Sequence, residues 1–468
     1  ISRRFTKRKL SQNLHSGDEV GGIAKTAAIS YNSPIMSIEA RPSKEKNPEF
    51  PLSSQDVVIV GGGPAGALTG YLLAPLAKSV TIFEPSPTRT PTFGERIKPC
   101  VGCAGILQDN AKSLLARVGL HIPEVVIQTR INRNVVHLLG GKEVEIPTRA
   151  LAVFRGFAPV SPAVEATRQI WGFDAWLLEE AKKAGAKVVG SPVTKIQVGR
   201  DKTVVYANGE TIPADLVVGS YGHNRGNLQI DTGEEVFDEP ITQPASVREY
   251  RLKDTKVRER LGESMHVFGN PTDKVWYAAV IPKGEYATIV MMGRDGADQS
   301  GFREFLALPA VIDLLGDLNR QRSNCACVSQ ITVRSPNKIS TENEHGGMGY
   351  VRYGDAGGTR QRKNGIGAAM EGGAEFVEIL KKHGNGATAR KKFGDYIRRT
   401  YIWDNRISEV MLSVFDLVLN HQMSKEAVIW LANNQIPLAS QMVRSTMDYA
   451  LTGKIPYWQI PFRVIFGR

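Results

Sequence analysis

Four cysteines in 468 residues, Cys100, Cys103, Cys325 and Cys327, are too few for a disulfide scaffold and point to a reducing compartment. Long apolar runs are missing as well. The longest candidates are broken by charge, Gly or Pro, which excludes a bilayer-spanning helix and leaves a soluble or peripheral protein as the expectation. Aromatic residues make up only 7% of the chain, and the basic residues are spread along its length. Nucleic-acid binding is therefore not expected. No internal repeat is visible.

What remains is ordinary globular composition, with 42% hydrophobic and 23% charged residues. The length exceeds one ordinary core and predicts two or three lobes. A net charge of +12 suits anionic partners such as a membrane surface or a diphosphate. The string Ser2-Arg3-Arg4 is followed by the polar "SQNLHSGDEVGG" rather than an apolar stretch, so it reads as a basic tail and not an export signal. The chain opens on Ile1, and an upstream segment is expected. Residues 1–54 read as a basic extension with little periodicity, either a flexible tail or an arm that docks on a protein partner.

From Asp56 the pattern is strand, glycine loop, helix, strand. "DVVIV" is a buried parallel strand, "PAGALTGYLLAPLAK" has helical spacing, and "SVTIFEP" is a strand ending on Glu84. Between them lies Gly61-x-Gly63-x-x-Gly66. In such a loop the first glycine permits the tight turn, the second admits a pyrophosphate, and the third lets helix pack on strand. With Pro64 and Ala65 it opens a helix whose N-terminus offers N–H groups and positive dipole to phosphates. Glu84, 18 residues beyond Gly66, suits a ribose hydroxyl. This combination predicts dinucleotide binding, to NAD or to FAD.

The rest of the chain favours FAD. The nucleotide unit is interrupted by a long insertion, and a second glycine cluster, "YGDAGGTRQRKNGIGAAMEGGAEF", follows about 290 residues downstream. Gly354 and Asp355 follow a strand, and Gly365 and Ile366 open a helix. Asp355 can accept from a ribityl hydroxyl, and that helix can face phosphate or the flavin carbonyl region; a turn or capping aspartate is the plainer alternative. Between the two clusters, "SVREYRL", "KVWYAAVIP" and "YATIVMMG" alternate as a mixed sheet. The expected fold class is α/β: a Rossmann-like FAD-binding domain from residues 55–230 and 346–390, a β-sheet substrate lobe from 231–345, and a helical C-terminal region from 391–468.

The pieces "VVIVGGGPAGALTG", "GERIKPCVGC", "FDAWLLEEAKKAGAKV", "ADLVVGSYG", "VIPKGEYATIVMMG" and "GDAGG…NGIGAAMEGG" occur in the order of the geranylgeranyl reductase-like flavoproteins, which the chain resembles over about residues 55–450. These belong to the superfamily of p-hydroxybenzoate hydroxylase, the FixC-type quinone reductases and the flavin halogenases. The resemblance implies FAD held by Gly61, Gly63, Gly66 and Glu84 at the ADP half, Arg96 near the pyrophosphate, Val193 near the adenine and Asp355 at the ribityl chain. It implies hydride delivery from the flavin to a prenyl double bond of an isoprenoid lipid or pigment. Without a second nucleotide motif, the donor would be transiently bound NADPH or a protein such as reduced ferredoxin.

The resemblance also favours Cys100 as a thiol near the flavin; a redox pair with Cys103 or an inert buried thiol are the alternatives. Lys98 is a second catalytic candidate, able to stabilise an anionic flavin or orient a substrate, with a solvated surface lysine as the plainer alternative. A metal site using all four cysteines is not expected, because Cys-x-Cys is an unusual ligand spacing. Three places depart from the family pattern: Tyr221 replaces an aspartate, Ala279 stands where a large ring is usual, and "TRQRKN" (359–364) is basic where small or apolar residues are expected. The alternatives kept open are a monooxygenase, halogenase or quinone oxidoreductase, and a flavoprotein subunit of a membrane complex. The C-terminal "LTGKIPYWQIPFRVIFGR" mixes Tyr457, Trp458, Phe462 and Phe466 with Lys454, Arg463 and Arg468, a composition for a membrane interface or a packed tail. The expected location is cytoplasmic or stromal, peripheral to a membrane.

Overall fold

The computed structural model describes residues 50–85, 103–138, 142–156, 159–160, 170–223, 225–233, 237–293, 299–343, 345–420, 427, 430 and 437–466. Arg96, Lys98, Cys100 and the N-terminal arm up to residue 49 lie outside them. Residues 47–468 form one compact unit.

The first half of the chain runs β1 (Asp56–Val60), α1 (Pro64–Leu73), β2 (Ser79–Phe83), β3 (Ile106–Gln108), α2 (Asp109–Arg117), β4 (Ile127–Leu138) and β5 (Lys142–Val153). Next come β6 (Pro159–Val160), β7 (Ile170–Trp171), α3 (Phe173–Lys183), β8 (Lys187–Val189), β9 (Val193–Val198), β10 (Thr203–Ala207), β11 (Glu210–Ala214), β12 (Leu216–Gly219) and β13 (Gln229–Asp231). The alternating segment holds β14 (Ile241–Arg251), α4 (Thr255–Leu261), β15 (Ser264–Thr272), β16 (Val275–Lys283), β17 (Tyr286–Gly293), α5 (Gln299–Leu306), α6 (Pro309–Leu315) and β18 (Cys325–Arg334). The chain then returns through β19 (Ser340–Glu342) and β20 (Met348–Arg352) to α7 (Gly365–His383), α8 (Ala387–Ile397), α9 (Trp403–Asn420), α10 (Pro437–Thr452) and α11 (Ile460–Phe466).

One sheet has the order β19-β20-β12-β1-β2-β8. β1 sits between β2 and β12, parallel to both, with Val57, Ile59 and Val60 opposite Val80, Ile82 and Phe83. A central parallel strand is covered on both faces, so "VVIV" reads as an unbroken apolar run. One face packs Ile59, Ile82 and Val218 against α1, α3 and α7. The other packs Val58, Phe83, Val217 and Tyr350 against Ile196 and Val205 of the small sheet β11-β10-β9-β13. Ile59 is fully buried, and truncating it to Ala would cost about 2–5 kcal/mol.

The larger sheet has the order β18-β14-β17-β16-β15-β4-β5-β3. Its alternation separates two faces. Ala278, Val280, Ile289 and Met291 pack under α4, α5 and α6, while Val247, Ala279, Ile281 and Val290 turn to the opposite side. β3, β4 and β5 fall within 55–230 yet pair into this sheet, β4 joining β15 in parallel. The strand pairing therefore crosses the expected boundaries: the insertion after β2 builds the floor of the second lobe. The C-terminal "YWQIPFRVIF" is helical, as a short turn and α11.

Candidate functional site

The glycine loop shows which of its members serve packing and which serve space. Gly61 has φ +104°, and a Cβ there would stand 2.6 Å from the Ser220 carbonyl oxygen. A Cβ on Gly66 would stand 1.9 Å from the Gly61 carbonyl oxygen. Both glycines are demanded by the protein itself. Gly63 differs: a Cβ there meets nothing within 4 Å. It is the N-cap of α1, with Pro64 in the first helical turn, and it opens with Gly61, Pro64 and Ala65 into a cavity of about 910 Å³. Open space beside unsatisfied N–H groups at a helix start is what an anionic phosphate needs. Glu84 closes the loop from the end of β2, accepting from the Gly62 N–H at 2.9 Å. Val193, at the start of β9, lines the same end of the cavity.

The second glycine cluster meets the first. Gly354 has φ +64°, and a Cβ on it would lie 3.5 Å from Ala65 Cβ. Asp355 lines the cavity with 42% of its side chain exposed, its Oδ1 3.9 Å from His223 Nε2. Gly365 and Ile366 line it from the first turn of α7. The small residues of α1 and α7 let the two helices touch: a Cβ on Gly373 would sit 2.6 Å from Thr69 Oγ1.

Between the two clusters stands Arg155, which was not among the expected site residues. Its Nε donates to Asp174 Oδ1 at 2.7 Å, and its Nη1 points at Cys103 Sγ at 3.5 Å. Asp174 is 1% exposed and also accepts from the Gly156 N–H. Burial works against the guanidinium's charge, but Asp174, Cys103 and Asp355 outweigh it and raise its pKa further. The signal in the sequence was the "FD" opening α3, an acid placed in a first turn with an apolar face behind it. Its partner, a lone Arg after β5, carries no periodicity.

The far part of the cavity is lined by apolar and by cationic residues. Val247, Met265, Ala279, Ile281, Val290 and Leu451 form the apolar wall. The 359–364 segment also lines the cavity, through Arg360, Arg362, Lys363 and Asn364. Tyr277 lies under Lys363, whose Nζ is 5.6 Å from the ring centre, and the Arg362 guanidinium lies over Trp276 at 5.1 Å. Burial, with some help from Tyr457, pushes the Tyr277 phenol up to about 12. Tyr221 also lines the cavity, its hydroxyl 3.1 Å from that of Tyr350. Cys325 and Cys327 approach to 3.8 Å on β18. Among the described residues no group of three His, Cys, Asp or Glu is placed to hold a metal ion.

The predicted residues Gly61, Gly63, Pro64, Ala65, Glu84, Val193, Asp355, Gly365 and Ile366 thus converge on one cavity. Gly66 and Gly354 stand behind it as spacing for close approach. These residues fit FAD: an open phosphate cradle at one helix start, an acid at the neighbouring strand end, and an acid and a second helix start at a distance.

No protein-family model matches the chain, and no curated protein sequence does. Solved structures do match in fold. A geranylgeranyl bacteriochlorophyll reductase-like protein from Thermoplasma acidophilum is similar at 16% identity and a TM-score of 0.59, over 88% of this chain and 96% of that one. CmlS, a flavin-dependent halogenase, matches at 18% identity and a TM-score of 0.53, over 89% of this chain and 77% of its own. CtdE, solved in complex with FAD and a substrate, matches at 16% identity and a TM-score of 0.53, over 75% and 86%. The fold is therefore the Rossmann-type α/β fold of FAD-dependent flavoproteins, as expected from the glycine loops.

Proposed function

We propose that the chain is an FAD-dependent oxidoreductase that reduces prenyl double bonds of an isoprenoid lipid or pigment. The observation that carries this reading is the continuity of one cavity from the Gly63 phosphate cradle, past Asp355, to the apolar wall of the large sheet. When bound, FAD supplies hydride-transfer chemistry to a carbon–carbon double bond. The chain's own part is position and shape. Gly63, Pro64 and Ala65 with the start of α1 take the pyrophosphate, Glu84 the adenosine ribose, Val193 the adenine side, Asp355 the ribityl chain, and the start of α7 the flavin ring. Arg155, held by Asp174, adds a fixed cation midway. The apolar wall keeps water from the reacting carbons, and the Tyr277 phenol stays protonated as a donor at their edge. Arg96 near the pyrophosphate, and Lys98 and Cys100 as catalytic groups, stay proposals, as does NADPH or ferredoxin as donor.

The fold likeness to halogenases and oxygenases fits an oxygen-using enzyme equally. The aliphatic wall of Ala279, Ile281 and Val290 suits a hydrocarbon substrate. The exposed rings Trp458 and Phe462, 6.5 Å apart, together with Trp403 and Arg463, support docking of this lobe on an anionic membrane surface. No helix among the described residues is long and apolar enough to cross a membrane. The test is the visible spectrum of the purified protein, followed by reduction with dithionite in the presence of geranylgeranyl lipid. A product heavier by hydrogen pairs supports the reading. A flavin that reduces while the lipid mass stays unchanged overturns prenyl reduction, and oxygen-dependent hydroxylation or halogenation supports the second reading.

A further inference from the structure

β18 carries two thiols two positions apart, Cys325 and Cys327. Side chains of a strand alternate between its faces, so both stand on the same face. Cys325 Sγ donates to Cys327 Sγ at 3.8 Å, and Cys327 Sγ donates to the Val247 carbonyl at 3.6 Å. Paired positions on neighbouring strands share a face as well. Cys327 pairs with Val247, Val247 with Val290, and Val290 with Ala279. Cys327 therefore heads a row that builds the apolar cavity wall, and it packs on that cluster. Cys325 heads the next row, beside the buried carboxylate Glu249.

The place of β18 in the sheet decides what this pair can do. It stands at the end of the strand order, and among the described residues it pairs with β14 alone. In an extended strand, residues i and i+2 lie about 6.4–6.8 Å apart at Cα. Disulfides span about 4.4–6.8 Å, most often about 5.5–6 Å. A bridge here is within reach, but it shortens the strand and carries strain. A strand with two neighbours resists such shortening, whereas an edge strand can bulge. Strained bridges are the readily reduced ones, and in a reducing compartment disulfides serve as transient or sensing groups rather than as struts. The two thiols also differ in access: Cys327 is half-buried and Cys325 is buried.

We propose that Cys325 and Cys327 are a modification site, forming a reversible disulfide in the folded chain with a small-molecule disulfide such as glutathione disulfide as oxidant. The half-buried Cys327 gives up its proton and attacks one sulfur of the small disulfide. The first small thiol leaves with that proton, and Cys327 is held as a mixed disulfide. Cys325, 3.8 Å away, then gives up its proton and attacks Cys327 Sγ, and the second small thiol leaves with it. Two protein thiols are oxidised to one disulfide, and one small disulfide is reduced to two thiols. Excess small thiol reverses both steps. The consequence falls on the cavity. Val328, Ser329, Gln330, Ile331 and Thr332, just beyond the bridge, line it. Thr332 is held at two groups: its Oγ1 is 3.1 Å from His223 Nε2, and its carbonyl accepts from the Arg362 N–H at 3.2 Å. Shortening at 325–327 therefore loosens the strand between the bridge and Thr332. The site needs no flavin and goes beyond the oxidoreductase reading.

The test equilibrates the full chain in glutathione buffers from fully reduced to fully oxidised, traps the thiols with N-ethylmaleimide, and weighs the tryptic peptides. The peptide Ser323–Arg334 holds this pair alone, and Cys100 and Cys103 fall in another. Under oxidising buffer the expected peptide lacks two hydrogens and takes up no maleimide. It returns to the doubly alkylated form when reduced glutathione is restored. Cys325→Ser should hold glutathione at Cys327 at least about tenfold more than the wild type, because the resolving thiol is gone. Cys327→Ser should react at least about tenfold more slowly than Cys325→Ser, because its remaining thiol is buried. Amide exchange over residues 328–331 should rise at least about tenfold in the bridged protein, with β16 and β17 unchanged. A wild-type peptide that stays doubly alkylated, or that stops at the mixed disulfide, overturns the proposal. So does a bridge that links two copies of the peptide. Unchanged exchange over 328–331 overturns the loosening of the strand.

Discussion

The hydroxyls of Thr69 and Tyr353 lie 2.5 Å apart although 284 residues separate them in the chain. Thr69 Oγ1 also donates to the Ala65 carbonyl at 2.8 Å. Its one hydrogen is thereby used, so the Tyr353 phenol donates to it. The relay ties the turn before Gly354 to the first turn of α1, beside the phosphate cradle. Both residues are fully buried. Tyr353→Phe removes one donor and should cost about 1 kcal/mol, whereas Thr69→Val strands a buried phenol and should cost about 1–3 kcal/mol. Urea unfolding followed by circular dichroism checks the order; equal losses would mean that the hydroxyls do not pair.

The glycine loop separates packing from ligand space in one experiment. Gly66→Ala places a methyl 1.9 Å from the Gly61 carbonyl oxygen and should cost several kcal/mol or prevent folding, since overpacking of a rigid contact typically costs about 1–3 kcal/mol or more. Gly63→Ala meets open space, so thermal stability of the flavin-free protein should be nearly unchanged while flavin content falls at least about tenfold. Flavin absorbance per chain, set beside the melting curve, decides it. Undiminished flavin in Gly63→Ala would remove the pyrophosphate from this loop.

A second buried charge lies under the cavity floor. Lys283 Nζ is 3.8 Å from Glu249 Oε1, both side chains fully buried, and Thr288 Oγ1 donates to the same carboxylate oxygen. The ammonium also sits 5.0 Å from the Phe154 ring centre. Removing one partner strands the other, so Lys283→Met should cost about 3–5 kcal/mol, while Lys283→Met combined with Glu249→Leu should recover most of that loss. A double-mutant cycle in urea measures the coupling, and simple additivity would show that the pair does not interact.

Much of this was legible in the sequence because the features concerned are local. Gly61, Gly63, Gly66 and Glu84 announce themselves by spacing within one strand–helix–strand unit. Asp355 and Gly365 do so by following a strand and opening a helix. The antiparallel strands "KVWYAAVIP" and "YATIVMMG" show their two faces by alternation. What was not legible depends on pairing over distance. That β4 joins β15 is a parallel register between residues 133–137 and 264–268, which no local pattern carries. Arg155 becomes a site residue only because the insertion after β5 brings Asp174 back to it. The "TRQRKN" segment read as a departure from a family pattern; its place on the cavity appears only when Asn405 and Ser408 of α9 hold it there.

Lys363 makes the last prediction a matter of sign. Its pKa is lowered from 10.5 to about 7 by burial and then by Arg362; Arg360, Tyr277 and Tyr457 also stand around this wall. In the unfolded chain the group keeps its proton up to about pH 10. Between about pH 7 and pH 10 the unfolded state therefore holds more protons than the folded one, and stability of the ligand-free protein rises across that window. Below pH 7 both states are protonated and the penalty of the buried ammonium is fully present. Lys363→Met should lack this rise, so the difference in unfolding free energy between the two proteins should shrink or reverse from about pH 6 to about pH 9.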